Sequence, residues 1–301
     1  MTTNQAMDAD EPKRSDADDR KLLEVSNLTI AFDTKQGPSI VVDDISFQIG
    51  RSATLGVVGE SGSGKSVTSL AIMGLLPRET RLSGSVNFKG EELVGRDDKW
   101  LRRIRGDQIA IIFQDPLSSL NPYYTVGLQI AETYLAHRGG SKKHARQITI
   151  EAMDRVKIAD PERRVDHYPH QFSGGMRQRI MIAMALCCEP DLIIADEPTT
   201  ALDVTVQAQI LQLLAMLQET TGAGMLFITH DLAVVSQIAD TVHVLQAGKT
   251  METGTVEQIF SRPKSEYTRR LLAAIPRIDD AVDLPQLTVH RPTATTDGDS
   301  R

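Results

Sequence analysis

The chain has 301 residues, of which 41% are hydrophobic and 24% charged, a composition typical of globular proteins and not of disordered or fibrous ones. Its 33 Lys and Arg against 40 Asp and Glu leave a net charge of −7, which disfavours a dedicated nucleic-acid-binding protein. Cys187 and Cys188 are too few for a disulfide framework, and the longest apolar run, Ile180 to Cys188, is too short to span a membrane.

Residues 1–20 are polar and acidic and predict a disordered lead-in. From Lys21 onward, short alternating or continuous apolar segments predict strands, the first two of them antiparallel. These segments are 22–32, 39–49, 53–59, 83–90, 107–114, 192–195, 225–229 and a hairpin over 241–254.

Helices are predicted from apolar periodicity together with capping and breaking residues. They are Lys65 to about Leu76, where Pro77 follows; Val204 to Thr220, where Gly222 follows; and a helix opened by a capping box of Thr255 and Gln258. Residues 121–188 are expected to be mainly helical. Residues 271–301 are assigned to a C-terminal tail, which is expected to be loose past Pro276.

The segment Gly59-Glu60-Ser61-Gly62-Ser63-Gly64-Lys65-Ser66 matches the phosphate-loop pattern G-x-x-x-x-G-K-[ST], between a buried strand and a helix. Its glycines let backbone N–H groups converge on phosphate oxygens, and the helix N-terminus adds a partial positive charge. Lys65 would contact the β- and γ-phosphates, and Ser66 would offer an oxygen to Mg²⁺. The pattern predicts nucleotide binding; a glycine-rich turn that only caps a helix is the alternative.

Two acids, Asp196 and Glu197, close the apolar strand that begins at Leu192. In this position Asp196 would hold Mg²⁺ beside the phosphates, and Glu197 would polarise an attacking water. Two acids on a solvated turn are the alternative, which the presence of Lys65 makes less favourable.

The segment Phe172-Ser173-Gly174-Gly175-Met176-Arg177-Gln178-Arg179 lies shortly before Asp196 and resembles the L-S-G-G-Q signature of ABC-type ATPases, with Phe172 and Met176 in place of the usual Leu and Gln. By itself it could be an ordinary capped helix start. Four more elements follow the family's order: Phe32 resembles the aromatic that stacks on adenine, Gln114 the Q-loop, Thr200-Ala201-Leu202-Asp203 the D-loop and His230 the switch histidine.

The resemblance covers about residues 21–270 and implies an α/β P-loop NTPase fold, with a RecA-like core, an antiparallel β subdomain and an inserted α-helical subdomain at about 115–188. It implies ATP and Mg²⁺ as ligands, with the metal near Ser66, Gln114 and Asp196. The residues implied in catalysis are Lys65, Gln114, Glu197 and His230. Those implied in ATP binding are Phe32, Gly59, Glu60, Ser61, Gly62, Ser63, Gly64, Lys65, Ser66, Val67, Gln114, Ser173, Gly174, Gly175, Asp196, Asp203 and His230.

In this family two nucleotide domains pack head to tail, so Ser173, Gly174 and Gly175 would serve the ATP of a second ATPase subunit, identical or related. Two segments, 115–122 and 267–276, resemble dipeptide and oligopeptide importers. That implies two membrane permease subunits, an extracytoplasmic solute-binding protein as an indirect partner, and a location at the cytoplasmic face of the cell membrane. The cargo stays open among peptides, glutathione, nickel and similar solutes.

Two departures accompany this likeness: Glu266 stands where many members have proline, and residues 277–301 hold no cysteine, so no iron–sulfur cluster is expected. A non-transport ABC ATPase in DNA repair or translation is the alternative. It is disfavoured because only 108 positions separate Lys65 from Ser173 and each motif occurs once. No nucleic-acid partner is expected. A P-loop kinase would leave the signature segment and His230 unexplained.

Overall fold

The computed structural model describes residues 21–200 and 202–274. The strands within these ranges are β1 Lys21–Thr34, β2 Gly37–Gly50, β3 Thr54–Val58, β4 Arg81–Phe88, β5 Glu91–Glu92, β6 Ile109–Ile112, β7 Leu192–Asp196, β8 Gly224–Thr229, β9 Thr241–Gln246 and β10 Lys249–Thr255. The predicted lead-in, residues 1–20, and the prediction of no cluster in residues 277–301 lie outside the described residues.

The helices of the described ranges lie between and after these strands. They are α1 Lys65–Ile72, α2 Asp98–Leu101, α3 Pro116–Ser119, α4 Val126–Arg138, α5 Lys142–Arg155, α6 Pro161–Arg164, α7 Gly174–Leu186, α8 Val204–Thr221, α9 Leu232–Ile238, α10 Val256–Ser261 and α11 Glu266–Ala273, with a 3₁₀ turn at Pro169–Gln171. The helices α3 to α7 follow in succession between β6 and β7. Of the helices in the described part of the chain, none has both the length and the apolar character needed to cross a membrane.

A six-stranded sheet in the order β10-β9-β3-β8-β7-β6 forms the centre of the fold. β3 pairs in parallel with both β8 and β9, and β8 continues in parallel to β7 and then β6. Every residue of β3 and β8 is buried, which explains their continuous apolar sequences, because helices or a second sheet cover both faces. Parallel pairing brings the carboxyl ends of β3, β7 and β8 to one edge, where ligands bind in such sheets.

A second, four-stranded antiparallel sheet has the order β2-β1-β4-β5. The predicted pairing of the first two strands is confirmed, with Leu23 opposite Ile49 and Val25 opposite Phe47. The apolar side of this sheet shares one core cluster with Leu55 of β3 and further side chains of the central sheet. The antiparallel sheet therefore covers one face of the central sheet.

The region between β6 and β7 is mainly helical, as predicted. α4 and α5 pack on each other and on α7, and α7 returns to pack against β6 before the chain enters β7. Buried side chains of these helices, such as Ile130, Met153 and Ile180, join the core cluster on the other face of the central sheet. The signature segment at the start of α7 is thus carried by the helical region and not by the phosphate-loop strand.

One predicted helix boundary is wrong, because α1 ends at Ile72 and not at about Leu76. Gly74 has φ +59°, and the N–H groups of Gly74 and Leu75 donate to the carbonyl oxygens of Ala71 and Leu70 at 2.9 and 2.8 Å. This arrangement is a Schellman motif, so a glycine in the left-handed region ends the helix before Pro77 is reached.

The other end signals are confirmed: Gly222, with φ +69°, ends α8, and the capping box of Thr255 and Gln258 opens α10. At the C-terminal end, α11 runs through residue 270, where the sequence places the end of the ATPase domain. The domain boundaries stay predictions.

Candidate active site

The phosphate-loop segment connects β3 to α1, as the sequence predicts. Gly62 and Gly64 have φ +77° and +98°, in the left-handed region that favours glycine. A Cβ on Gly59 would lie 2.2 Å from the carbonyl oxygen of Leu245, so this position accepts no side chain. The loop is therefore a tight backbone curve that ends in the N-terminus of α1.

Lys65 lies inside this curve and is only 5% exposed. Its Nζ donates to the carbonyl oxygens of Gly59 and Glu60, at 2.7 and 2.8 Å. Burial lowers the pKa of Lys65, and the nearby carboxylates of Glu197 and Asp196 oppose that shift. The loop thus holds a cation where a phosphate would be bound.

Ser66 and Asp196 form an oxygen-rich pair at the carboxyl end of β7. The Ser66 hydroxyl donates to Asp196 Oδ1 at 2.9 Å, and the Ser69 hydroxyl lies 3.3 Å from Oδ2. Burial raises the pKa of Asp196, against the lowering effect of the two hydroxyl hydrogen bonds. Gln114, which is exposed, lines the same cavity of about 680 Å³ as Ser66 and Asp196.

Each of these three side chains offers an oxygen atom, the type of ligand that Mg²⁺ prefers. Among the described residues, no group of three or more His, Cys, Asp or Glu is placed to hold a metal by itself. One carboxylate and one hydroxyl fit a magnesium ion that takes its remaining ligands from phosphate and water.

Glu197 follows Asp196 in a strained backbone conformation, with φ +48°. Its N–H donates to the carbonyl oxygen of Ile228 in β8 at 2.9 Å, which fixes the turn. Thr200 Oγ1 donates to Glu197 Oε2 at 2.9 Å, and His230 Nδ1 lies 3.4 Å from Oε1. These contacts hold the Glu197 carboxylate at the carboxyl ends of β7 and β8, which are neighbours in the sheet.

Phe32 and Val67 are both half-buried and pack against the core cluster shared by the two sheets. Phe32 lies opposite Ser39 in the β1–β2 pair, close to the pairing of Ile30 with Val42. Val42 approaches the phosphate loop, since its Cγ2 would lie 2.9 Å from a Cβ on Gly64. The antiparallel sheet therefore places Phe32 on a strand next to the one that touches the loop.

The signature residues and Asp203 are not brought into this group. Ser173 Oγ accepts the N–H of Met176 at 3.4 Å and caps α7, while the Asp203 carboxylate accepts the N–H of Val206 at 3.0 Å and caps α8. A Cβ on Gly175 would lie 2.6 Å from Val206, so these two helix starts are neighbours. Ser173, Gly174 and Asp203 are exposed.

Three contacts of the site were not predicted from the sequence. Gln178, 1% exposed, donates from Nε2 to the carbonyl oxygen of Pro198 at 2.7 Å and ties α7 to the segment after Glu197. Gly248 donates its N–H to the carbonyl oxygen of Ser63, and the Tyr267 hydroxyl accepts the N–H of Glu60. Gln178 stands between Arg177 and Arg179, so no local sequence signal marks it as buried.

An ABC transporter family model matches residues 42–200, and a model of the oligopeptide/dipeptide transporter C-terminal region matches residues 251–299. The oligopeptide transport ATP-binding protein OppD of Haemophilus influenzae is 51% identical over 258 residues, which are 86% of this chain and 80% of that protein. The dipeptide transport ATP-binding protein DppD of Bacillus subtilis is 52% identical over 261 residues, 86% of this chain and 78% of that protein.

Two solved structures share the fold. The dimeric structure of MJ0796, described as a bacterial ABC transporter cassette, is 27% identical with a TM-score of 0.69, covering 78% of this chain and 99% of its own. The structure of cbiO1 from Clostridium perfringens, part of an ABC transporter complex, is 26% identical with a TM-score of 0.70, covering 87% and 98%. Sequence, fold and site geometry thus agree that the chain belongs to the ABC transporter family, as an ATPase cassette.

Proposed function

We propose that this chain is the ATP-hydrolysing subunit of an ABC importer for peptides or a similar small solute. The observation that carries the proposal is the convergence of Lys65, Asp196 and Glu197 on the phosphate loop. It is supported by the 51–52% identity to the ATP-binding proteins OppD and DppD, which their names assign to oligopeptide and dipeptide transport.

The phosphate loop and Lys65 would bind the phosphates of ATP. Converging N–H groups and the N-terminus of α1 supply hydrogen bonds and partial positive charge, and the Lys65 ammonium supplies a full charge. Ser66, Asp196 and Gln114 would hold Mg²⁺, which would supply positive charge to offset the negative charge of the phosphates. The partial desolvation of Lys65 strengthens its attraction to an anionic ligand, because the effective dielectric constant there is below that of water.

Glu197 would orient the attacking water and accept its proton. Oε2 is occupied by the Thr200 hydroxyl, so Oε1, on the side of His230, is the oxygen available to a water. His230 would hold that water or the terminal phosphate in line through its ring nitrogens. The strained turn at Glu197 fixes the side chain before ATP arrives, so little reorganisation is needed at the reaction step.

Ser173, Gly174 and Gly175, with Asp203 beside them, would act on the ATP of a second ATPase subunit in a head-to-tail dimer. The exposed N-terminus of α7 offers free N–H groups to an anion. The dimeric MJ0796 cassette supports this arrangement for a chain of the same fold. The second subunit is either identical or a related chain.

Two membrane permease subunits and, indirectly, an extracytoplasmic solute-binding protein would complete the importer, with this chain peripheral on the cytoplasmic face of the membrane. The match to the oligopeptide/dipeptide transporter C-terminal region supports this class of partner. The alternative of a DNA-repair or translation ATPase gains no support from the relatives described above, and no nucleic-acid partner is proposed.

The test is uptake of a radiolabelled tripeptide by cells that lack the gene for this chain. The wild-type gene should restore uptake, and Lys65→Ala should not. Lys249→Ala is the matched control, since Lys249 is an exposed lysine paired with Asp43 and should restore uptake fully. Equal uptake with and without the chain would reject peptide import.

A further inference from the structure

Tyr267 is a buried tyrosine of α11 that the proposed chemistry does not use. Its side chain is 5% exposed and belongs to the larger core cluster, which also holds side chains of the central sheet and the helical region. Arg270, one turn later, lies over the Tyr267 ring at 6.0 Å from its centroid. The ring is therefore held in place by packing, and its hydroxyl has a fixed position.

That hydroxyl accepts a hydrogen bond from the N–H of Glu60, with 3.4 Å between the oxygen and the nitrogen. The N–H of Glu60 and the carbonyl group of Gly59 belong to the same planar peptide group. The Gly59 carbonyl oxygen lies in that plane and points away from the N–H, and it accepts from Lys65 Nζ at 2.7 Å. Tyr267 thus restrains the rotation of the peptide group that holds the Lys65 ammonium.

The start of α11 is itself anchored to the central sheet. The Glu252 carboxylate of β10 accepts the N–H groups of Lys264 and Ser265, at 2.8 and 3.0 Å. Ser265 in turn caps α11 by accepting the N–H of Tyr267 at 3.2 Å. Glu252 is thereby linked to the phosphate loop through this short helix.

Burial raises the pKa of the Tyr267 hydroxyl, opposed by the hydrogen bond from the Glu60 N–H. The hydroxyl is therefore a neutral phenol at physiological pH. A neutral acceptor restrains the Glu60 amide without placing a negative charge beside the phosphates.

We propose that Tyr267 is a positioning residue for the phosphate loop, through which α11 sets the orientation of the Gly59–Glu60 peptide group and so the presentation of Lys65 to phosphate. The inference rests on the proposed ATP binding at this loop. α11 lies within the region matched by the oligopeptide/dipeptide transporter C-terminal model, so that region reaches the nucleotide site directly.

The test is Tyr267→Phe, which removes the hydroxyl and keeps the ring that packs in the core. We expect the dissociation constant for MgADP to rise about fivefold, the equivalent of one neutral hydrogen bond. We also expect hydrogen exchange in the ligand-free chain to speed up at the Glu60 amide. Tyr134→Phe is the control: its hydroxyl lies 3.2 Å from His144 Nε2, and its loss should change neither quantity.

Wild-type affinity and wild-type exchange at the Glu60 amide in Tyr267→Phe would overturn the inference. Faster exchange throughout β3, α1 and α11 would also overturn it, because Tyr267 would then be a packing residue only. Failure of the wild-type chain to bind MgADP or MgATP is a separate result, since it would reject the proposed function itself.

Discussion

Glu197 combines backbone strain with a carboxylate that has a polar neighbour beside each oxygen. A φ of +48° costs a non-glycine residue about 1 kcal/mol or more, and the turn persists because the N–H of Glu197 is bonded to the carbonyl oxygen of Ile228. His230 and Thr200 flank its carboxylate on either side. Backbone strain at Glu197, combined with a carboxylate held between two polar side chains, is a reason to assign this residue a chemical role.

Replacement of Glu197 by Gln should leave ATP binding within about twofold of wild type and reduce hydrolysis by about 10²–10⁴-fold. The amide has the size of the carboxylate and can still accept from Thr200, but it cannot take a proton from water. ATP binding and phosphate release measured on the same preparation separate the two effects. Turnover near the wild-type rate would remove Glu197 from the role of base.

The residues of the phosphate site could be predicted from the sequence because each sits in a short local pattern. The glycine loop, Lys65 and Ser66 are contiguous, and Asp196 and Glu197 close one apolar strand. The contact between Tyr267 and Glu60 joins residues 207 positions apart, and no local pattern encodes such a distance. Gln178 was missed for the same reason, since its partner Pro198 lies outside α7, in the turn after β7.

The turn between β9 and β10 is the element that ties the two sheets to the phosphate loop. Gly248 donates its N–H to the carbonyl oxygen of Ser63 and accepts the N–H of Asp43 of β2, at 3.1 and 2.8 Å. Its φ is +81°, and a Cβ would lie 2.3 Å from the carbonyl oxygen of Val41. The close approach of three backbone segments therefore depends on one glycine.

Gly248→Ala should lower the free energy of unfolding by about 3 kcal/mol, the sum of backbone strain and overpacking. Gly95→Ala is a matched control, because Gly95 has φ +79° but nothing within 4 Å of the added Cβ. Gly95→Ala should lower the free energy of unfolding only by the backbone strain, about 1 kcal/mol. Urea denaturation measures both, and equal losses would contradict the close packing of the turn.

The β9–β10 hairpin also buries a histidine. His243 of β9 is 0% exposed, its ring nitrogens are within 3.1 and 2.9 Å of the Thr250 and Thr253 hydroxyls, and its ring packs on Phe47. Burial lowers its pKa from 6.5 to about 4. Between those pH values the unfolded chain binds a proton that the folded chain excludes.

Stability linked to His243 should therefore be complete above about pH 6.5 and fall as the pH drops toward 4, by up to about 3 kcal/mol. Urea denaturation at pH 7 and pH 5 should show a loss of about 2 kcal/mol from this residue. His243→Gln should remove that part of the pH dependence. An unchanged difference between pH 7 and pH 5 in the variant would show that other groups cause it.

The order and type of the longer strands and of α1, α8 and α10 followed from the sequence, since buried parallel strands have continuous apolar sequences and antiparallel strands alternate. The short elements β5, α2, α9 and α11 were not predicted. The end of α1 did not follow, because Pro77 is a visible breaker whereas the Schellman motif at Gly74 depends on backbone geometry. The strand order of the central sheet is likewise set by non-local pairing that no local pattern contains.

The sequence holds one phosphate-loop pattern. The exposed starts of α7 and α8, which we propose to serve the ATP of a second subunit, lie outside that loop. The Ser173 and Asp203 side chains cap their own helices, so their orientations are already fixed by these hydrogen bonds. Under the proposed function, these two regions of one chain would belong to two different ATP sites, each completed by a second subunit in a head-to-tail dimer.

Ser173→Arg should leave the affinity of this chain's own phosphate loop for MgATP within about twofold of wild type. It should lower ATP hydrolysis by the assembled complex at least about tenfold, because the bulky side chain would block the approach of α7 to the γ-phosphate on the partner subunit. Ser141→Arg is the control, because Ser141 is also an exposed N-cap, with Oγ accepting from the N–H of His144 at 3.2 Å. Both lose about 1 kcal/mol of helix capping. Equal hydrolysis rates in the two variants would contradict a role for Ser173 in the dimer.

Co-purification tests the proposed importer most directly: the Glu197→Gln chain is tagged, native membranes are solubilised with ATP present, and the co-purifying proteins are identified by mass spectrometry. The proposed function predicts two membrane permeases in stoichiometric amounts, together with a second ATPase subunit if the dimer is formed by two different chains. Untagged membranes and Lys65→Ala control for non-specific capture. Recovery with ribosomes or DNA-repair proteins and without any permease would contradict the importer, although the ATPase site would stand.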